Sequence, residues 1–385
     1  MSKSTLWHDR QLFAAPRVYP ARGFEAPGVK ALFHDGVPWH GKPTRVFAWL
    51  GIPEKTRRNG KCPAMVLVSG GGAPALADWV RLWTARGYVA LSMDTCGGIP
   101  AWNDSPYYRI GGWPRHAHSG PAGWGRYEES GLPPREQWMY HAVAAVLRGH
   151  SLLRSLPEVD PDRIGLTGVS WGGLLTCVDA GVDPRFRFAA PVYGCGFLEG
   201  ASSVLWTPGA LPSATVARWF RLWDPARYLP QARMPFLWLN GTNDFAFPMD
   251  AHRRSYRAAR GPRTLCIPVR MSHGQGGPGE NIKELFRFAD IHCRDAAPLP
   301  QVTGTATDGT RATVSWEPAA AIVRAEFNFT RASGYWMDRN WNTVPAELEA
   351  AAGRATAAVP HACTCWYFSL FDADGCLVSS EYADV

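Results

Sequence analysis

Short apolar segments without polar alternation recur through most of the chain, and helix-like stretches separate them. The apolar segments are residues 64–68, 88–93, 163–169, 187–192, 236–239 and 265–269. The helix-like stretches are residues 76–86, 137–156, 172–180, 251–259 and 282–293. Strands that are apolar on both faces belong in a parallel sheet covered by helices on its two sides. The alternation predicts a doubly wound, mostly parallel α/β sheet, entered through an antiparallel hairpin of residues 29–33 and 44–52.

The alternation is interrupted twice and ends near residue 297. Residues 95–135 and 197–233 are rich in Gly, Pro and Trp, and both follow strand ends, so we expect lid-like insertions beside the ligand site. After residue 298 the pattern changes to short Thr-, Val- and aromatic-rich segments divided by turns such as Asp308-Gly309. Strands are predicted at residues 312–316, 323–329, 365–371 and 377–382. The interpretation is an α/β domain over residues 1–297 and a small antiparallel β-sandwich of immunoglobulin or fibronectin type over residues 298–385.

A serine motif lies where one buried strand ends and a helix begins. The segment Gly168-Val169-Ser170-Trp171-Gly172 has the GxSxG spacing. A serine on such a tight turn needs small flanking residues, so Gly168 and Gly172 are expected to have a steric role. In this strand-to-helix context the motif predicts Ser170 as a nucleophile rather than a serine in an ordinary turn.

A serine nucleophile needs a histidine base and an acid that orients the base. Asp244 follows the strand 236–239, and His273 follows the strand 265–269, so both are expected at the same sheet edge as Ser170. Asp250 is the competing acid, but Pro248 suggests that a helix is already starting there. His252 and His292 fall within predicted helices and are interpreted as surface residues.

A tetrahedral intermediate also needs two hydrogen-bond donors for its oxyanion. The first is predicted to be the backbone N–H of Trp171, at the start of a helix. The second is expected from the glycine loop after strand 64–68, with Gly71 preferred and Gly72 as the alternative.

These motifs together resemble the acetyl xylan esterase and dienelactone hydrolase-like branch of the α/β-hydrolases. The resemblance covers about residues 25–295 and includes the segments Val68-Ser69-Gly70-Gly71-Gly72 and Ser272-His273-Gly274. It implies an α/β-hydrolase catalytic domain and a serine esterase activity. The chain differs from deacetylases of the cephalosporin and xylan type at Trp171, where those enzymes carry Gln.

A second group of polar and aromatic residues is predicted to contact the substrate. The loop 112–120 contains Trp113, Arg115, His116 and His118, which suit a carboxylate or sugar hydroxyls, although a loop packed on its own aromatics is an equal alternative. Trp124 is a candidate for stacking on a ring, and Tyr193 is expected to reach the pocket wall. A metal at His116 and His118 is not expected, because no third ligand is suggested. Cys195 is interpreted as a buried neutral thiol.

The leading hypothesis is a serine carboxylic ester hydrolase that forms an acyl-enzyme and acts on carbohydrate or other small acyl esters. The alternatives are a peptidase of the prolyl-oligopeptidase kind and a binding module, the latter needing a broken triad. No cofactor is expected, and a homo-oligomer is left open. The net charge of +7 comes from scattered Lys and Arg, which argues against a nucleic-acid partner. The absence of a signal-like or membrane-spanning segment predicts a cytoplasmic protein, or a secreted one if a leader has been removed.

Overall fold

The computed structural model describes residues 6–385 apart from 55–59, 72, 101–112, 208, 210, 276 and 318–320. Gly72 and part of the predicted insertion at 95–135 therefore lie outside the described residues.

A mixed nine-stranded sheet forms the centre of the larger part of the molecule, in the order β1-β2-β3-β5-β4-β6-β7-β8-β9. The strands are β1 Val18–Ala26, β2 Val29–Asp35, β3 Arg45–Gly51, β4 Cys62–Val68, β5 Val89–Met93, β6 Val159–Val169, β7 Phe188–Val192, β8 Phe236–Leu239 and β9 Arg263–Cys266. The pairings from β1 to β5 along the first edge are antiparallel, and those from β5 through β4 to β9 are parallel. Strands β5, β7 and β8 are buried at every position, which confirms the expectation drawn from their unbroken apolar sequences.

In the described part of the chain, six α-helices accompany this sheet: α1 Ala77–Thr84, α2 Trp138–Ser155, α3 Trp171–Val182, α4 Ser213–Trp223, α5 Met249–Ala258 and α6 Lys283–Arg294. Helix α1 leads from β4 to β5, whereas α2 leads from β5 back past β4 to β6. Because crossovers between parallel strands are right-handed, these opposite directions put α1 and α2 on opposite faces of the sheet. The reversal makes the carboxyl ends of β4 and β6 a topological switch point, where ligands of such sheets bind. The predicted doubly wound α/β architecture is confirmed.

The structure differs from the sequence prediction at several strand limits. β6 begins at Val159 rather than at residue 163, and its pairing with β4 contains a register shift between Cys62 and Ala64 that accommodates the extra residues. β9 ends at Cys266 instead of residue 269. The edge strand β1 was not predicted, because its pattern is half exposed and interrupted.

The C-terminal segment forms two further antiparallel sheets, of orders β10-β11-β15-β14 and β13-β12-β16-β17, with β18 also pairing with β16. Their strands are β10 Val302–Thr307, β11 Arg311–Trp316, β12 Ile322–Thr330, β13 Trp341–Pro345, β14 Glu347–Glu349, β15 Arg354–Ala358, β16 Cys365–Asp372, β17 Leu377–Ser379 and β18 Ala383–Asp384. The sheets share an apolar core that includes Trp316, Phe327 and Trp366. The predicted sandwich is confirmed, but the predicted strand 377–382 stops at Ser379 and β10, β13, β14 and β15 were missed.

Strand β16 is buried on both faces. Trp366, Phe368 and Leu370 belong to the sandwich core, whereas Cys365 and Tyr367 belong to the core of the large sheet. The Tyr367 hydroxyl donates a hydrogen bond to the carbonyl of Ile267 at 2.9 Å. The alternation of side chains along a strand thus joins the sandwich to the catalytic part by a buried contact. The domain limit near residue 297 stays a proposal.

All nine cysteines are free thiols. Among the described residues, none of the helices combines the length and the apolar character needed to span a membrane.

Candidate active site

Ser170 lies on a sharp turn between β6 and α3. Its backbone has φ 58° and ψ −116°, a conformation that a non-glycine residue adopts only under strain. A Cβ atom at Gly168 would lie 2.2 Å from the carbonyl oxygen of Gly172, and one at Gly172 would lie 2.0 Å from the carbonyl oxygen of Val68. The predicted steric role of the two flanking glycines is therefore confirmed.

The residues predicted as nucleophile, base and acid are hydrogen-bonded in series. His273 Nε2 is 2.7 Å from Ser170 Oγ, and His273 Nδ1 is 2.7 Å from Asp244 Oδ2. With the proton on Nδ1, the imidazole donates to the carboxylate and accepts from the serine hydroxyl. The other carboxylate oxygen, Asp244 Oδ1, accepts the backbone N–H groups of Ala246 and Phe247 at 2.9 and 2.8 Å. Asp244 is thereby held in one orientation and supplied with partners although it is buried.

The residues weighed against Asp244 and His273 lie outside this hydrogen-bonded series. Asp250 lies in the first turn of α5, which confirms its interpretation as a helix-start residue. The prediction that His252 is a surface residue is wrong: its side chain is fully buried, and burial lowers its pKa to about 3. His292 is half-buried rather than exposed, and burial lowers its pKa to about 4. Helical periodicity alone did not reveal that α5 presents His252 to the core, against the ring of Trp238.

Aromatic rings flank the imidazole of His273. Tyr193 stacks on it at 4.6 Å between ring centroids, and Phe245 contacts it at 4.8 Å. The Tyr193 hydroxyl donates to the carbonyl of Gly274 at 3.4 Å, so Tyr193 also connects the segment after β7 to the loop that contains His273. Tyr193 thus lies beside the candidate base, and its contact with a substrate stays a prediction. Cys195 is fully buried and burial raises the pKa of its thiol, which confirms the interpretation as a neutral thiol.

The glycine loop after β4 lies against Ser170. A Cβ atom at Gly70 would be 3.1 Å from the Cβ of Ser170, and one at Gly71 would be 3.1 Å from the ring of Trp124. Trp171 is the first residue of α3, where backbone N–H groups have no partner within the helix. The two predicted oxyanion donors, Trp171 and Gly71, therefore lie on the two segments that meet at Ser170. Gly72, the alternative, is not described.

Sequence reasoning missed Gln275, which connects these segments. Its Oε1 accepts the backbone N–H of Gly70 at 2.6 Å, and its Nε2 donates to Glu280 Oε1 at 2.5 Å. The Gln275 amide therefore joins the loop that contains His273 to the glycine loop after β4. The proximity of Gln275 to His273 in the chain was the only signal for this contact.

A group of tryptophans surrounds the residue after the nucleophile. Trp206 stacks on Trp171 at 5.2 Å, and Trp124 meets it edge-on at 5.7 Å. Trp206 comes from the insertion 197–233, and its indole N–H donates to the carbonyl of Ala246 at 2.8 Å. The structure thus places Trp124, which was predicted to stack on a substrate ring, beside Trp171. Trp206 was not singled out, although its insertion was flagged as Trp-rich.

The remaining predicted substrate contacts lie in the loop 113–120. Arg115 donates to the carbonyls of Cys96 and Gly120, and the His116 ring lies 4.7 Å from that of Phe33. Burial lowers the pKa of His116 to about 4, so its ring is neutral at pH 7. These contacts fit the alternative of a self-packed loop.

The other two residues of that loop are also described. Trp113 is buried beside Gly98, and His118 is exposed, with its carbonyl accepting the backbone N–H of Arg45. A substrate role for these residues stays a prediction. Within the described part of the chain, no group of three or more His, Cys, Asp or Glu is arranged to hold a metal ion.

Comparison with known protein families gives two matches. A family described as acetyl xylan esterase (AXE1) matches residues 22–234, more than half of the chain. A family described as PhoPQ-activated pathogenicity-related protein matches residues 208–327.

Among curated proteins, the acetyl esterase Axe7A of Xylanibacter ruminicola is 29% identical over 147 residues, which is 37% of this chain. The matched region spans 32% of that relative, about a third of its length.

Solved structures show the same fold. An acetyl xylan esterase from Paenibacillus sp. R4 aligns with a TM-score of 0.57 at 20% identity, over 75% of this chain and 92% of the other. Acetyl xylan esterase 1 from Thermoanaerobacterium sp. aligns at 0.54 and 17% identity, over 72% and 90% of the two chains. An acylaminoacyl peptidase from Pyrococcus horikoshii aligns at 0.50 and 18% identity, over 69% of this chain and 42% of the peptidase. These likenesses establish the α/β-hydrolase fold, and the match over residues 22–234 shows that the chain belongs to the acetyl xylan esterase family.

Proposed function

We propose that this protein removes small acyl groups, foremost acetyl, from esterified carbohydrates through a covalent intermediate on Ser170. The observation that carries the proposal is the chain of two 2.7 Å hydrogen bonds from Asp244 through His273 to Ser170. That arrangement is what nucleophilic catalysis by a hydroxyl requires.

In the first half of the reaction, His273 takes the hydroxyl proton as Ser170 Oγ bonds to the acyl carbon. The carbonyl oxygen becomes an oxyanion, which the N–H groups of Trp171 and Gly71 are proposed to bind. When the intermediate collapses, the ester C–O bond breaks and the imidazolium donates its proton to the leaving alcohol oxygen. The acyl group remains on Ser170.

In the second half, His273 takes a proton from water as its oxygen attacks the acyl carbon. Collapse returns the proton to Ser170 Oγ and releases the carboxylic acid. Asp244 stays ionised and orients the imidazole throughout. Its two backbone hydrogen bonds, from Ala246 and Phe247, support that role because they stabilise the charged carboxylate.

The acyl preference is proposed from the rings around the oxyanion donors. A Cβ atom at Gly71 would lie 3.1 Å from the Trp124 ring, and Trp206 stacks on Trp171. Large, rigid rings near the oxyanion donors are expected to favour a short acyl group over a long chain.

The test is a panel of p-nitrophenyl esters of increasing acyl length, acetylated xylo-oligosaccharides and an acylaminoacyl p-nitroanilide. Wild type should prefer acetyl esters, and Ser170→Ala should lower kcat by roughly 10⁴-fold or more. His273→Ala should be similarly inactive and still folded. His361→Ala, at an exposed position of the C-terminal segment, is the matched control and should behave as wild type.

Two outcomes would contradict the proposal. Turnover that survives Ser170→Ala would remove the serine from the mechanism, and a preference for the anilide over all esters would favour the peptidase alternative. A fluorophosphonate probe that labels wild type and His361→Ala, but not Ser170→Ala, would support the nucleophile independently of substrate choice.

A further inference from the structure

One segment of the C-terminal sheets lies beside the catalytic loops. It comprises residues 335–340 and contains a short 3₁₀ helix, Trp336–Asp338, between β12 and β13. We call it the sandwich loop. Its Trp336 is buried in the core of the large sheet and meets the ring of Tyr382 at 5.1 Å. The loop is therefore anchored by a buried ring and does not simply hang over the site.

Asn243, the residue before Asp244, holds the sandwich loop directly. Its side-chain nitrogen lies within 3.2, 3.0 and 2.7 Å of the carbonyl oxygens of Trp336, Met337 and Arg339. Its side-chain oxygen accepts the hydroxyl of Thr242 at 2.8 Å. The loop that contains Asp244 and the sandwich loop are thus joined by the Asn243 amide, whose nitrogen and oxygen both have hydrogen-bond partners.

A cavity of about 400 Å³ lies between the two parts. Residues 243–245 and 270–273 form one side, which includes His273, and residues 337–340 form the other. This volume is in the range of pockets that hold small molecules.

The lining of this cavity combines apolar and polar side chains. Phe245 is 42% exposed and Met337 is 37% exposed, so both present apolar surface to the cavity. Arg270 and Asp338 are exposed charged residues, and the Arg270 guanidinium donates to Asn340 Oδ1 at 3.0 Å. An aromatic ring with a neighbouring Arg and Asp suits a sugar. The C–H face of a sugar packs on an aromatic ring, and the sugar hydroxyls form hydrogen bonds with charged side chains.

The backbone of Arg270 adds a second observation. Its φ is 54°, in the left-handed region that favours glycine, and its N–H donates to Thr242 Oγ1 at 3.0 Å. A bulky residue held in this conformation marks a position where the surrounding structure maintains strain, as happens at ligand sites.

The reaction decides which part of the substrate would lie here. His273 must donate a proton to the leaving alcohol oxygen, so the alcohol part of the ester has to lie on the histidine side. We infer that the sandwich loop and residues 270–273 form a subsite for the sugar that carries the acyl group. The inference rests on the proposed function, and it assigns substrate recognition to the C-terminal sheets.

The kinetic test compares two substrates: acetylated xylotriose and p-nitrophenyl acetate, which has no sugar. The measured quantity is the ratio of their kcat/KM values. Asp338→Ala removes a hydroxyl partner and Met337→Trp fills the cavity, and each should lower the ratio about tenfold, through KM for the sugar ester. Asp374→Ala removes the same charge from another exposed turn of the C-terminal sheets and should leave the ratio as in wild type.

A binding test separates this inference from the proposed mechanism. Unacetylated xylotriose, titrated calorimetrically into the Ser170→Ala protein, should bind, and binding should weaken about tenfold when Asp338→Ala is added. Ratios within twofold of wild type in both loop variants would overturn the subsite, as would parallel losses on both substrates, which would indicate a purely structural loop. Turnover that survives Ser170→Ala would instead refute the mechanism and leave the binding result standing.

Discussion

Gln275 offers the sharpest perturbation of the proposed oxyanion site, because it touches neither Ser170 nor Asp244 in its described hydrogen bonds. Its amide accepts from the Gly70 N–H at 2.6 Å and donates to the buried Glu280. Gly71, the proposed second oxyanion donor, is the next residue. We expect Gln275→Ala to release the glycine loop and to leave the hydrogen bonds of His273 in place.

The magnitude follows from the groups left without partners. Gly70 is buried, and a buried N–H without an acceptor costs about 1–3 kcal/mol, so the free energy of unfolding should fall by roughly 2 kcal/mol. Loss of one oxyanion donor costs about 10²–10³ in kcat in other hydrolases. Because Gly71 is displaced rather than removed, we expect kcat to fall by roughly 10²-fold and KM to change by less than about threefold, since ground-state binding does not use the oxyanion.

The assay is the steady-state hydrolysis of p-nitrophenyl acetate, with urea unfolding measured on the same preparations. Gln301→Ala, at an exposed position, is the matched control and should match wild type in both measurements. Gln275→Glu sets two carboxylates against each other and should also be impaired. Adding Glu280→Gln leaves the acceptor for Gly70 in place and restores a donor between the two side chains, so at least a tenfold recovery of kcat is expected.

The reasoning would be refuted by a Gln275→Ala protein that loses stability but keeps its kcat, because the amide would then act only as a structural tie. An increase in KM with unchanged kcat would be equally contrary, since it would place Gln275 in ground-state binding. Failure of the exchanged pair to recover activity would exclude the hydrogen-bond explanation.

Three further predictions concern stability. Burial lowers the pKa of His252 from 6.5 to about 3, so between pH 7 and pH 5 the unfolded chain binds a proton that the folded chain does not, and the free energy of unfolding should fall by roughly 2 kcal/mol. The His252→Phe protein should show a smaller pH dependence of the free energy of unfolding in urea. A pH dependence identical to that of wild type would contradict the assignment. Gly172→Ala should lower the free energy of unfolding by roughly 3 kcal/mol or more, because its Cβ would lie 2.0 Å from the Val68 carbonyl, whereas Gly131→Ala points into open space and should be neutral. Deletion of residues 298–385 should give an insoluble or strongly destabilised protein because it uncovers the large core, and a soluble, active product with wild-type Tm would refute this.

Much of the fold follows from local patterns. The strand Phe236–Leu239 was predicted at its observed limits, and β5 and β7 within one residue, because a segment buried on both faces is apolar throughout. Edge strands such as β1 and β14 escaped prediction, because their exposed faces tolerate any residue and erase the pattern.

The candidate triad was readable for a related reason. Ser170, Asp244 and His273 each follow a predicted strand, and the carboxyl ends of parallel strands meet at one edge of the sheet. Local sequence thus indicated which side chains would come together, and the fold supplied the 2.7 Å distances. The burial of His252 was not readable, because the helical pattern does not reveal which face of α5 the core covers.

The sequence by itself determined the layered α/β architecture, the strained serine turn and the identity of the three residues proposed to react, since each depends on residue types within a few positions of one another. Only the tertiary structure decided that Gln275 holds the N–H of Gly70, 205 residues away, and that Asn243 ties a loop of the C-terminal sheets to the site. Such pairs depend on the spatial register of distant segments. A hydrogen bond between such segments produces no periodic or compositional signal in the sequence, so it is visible only once packing has brought the two segments together.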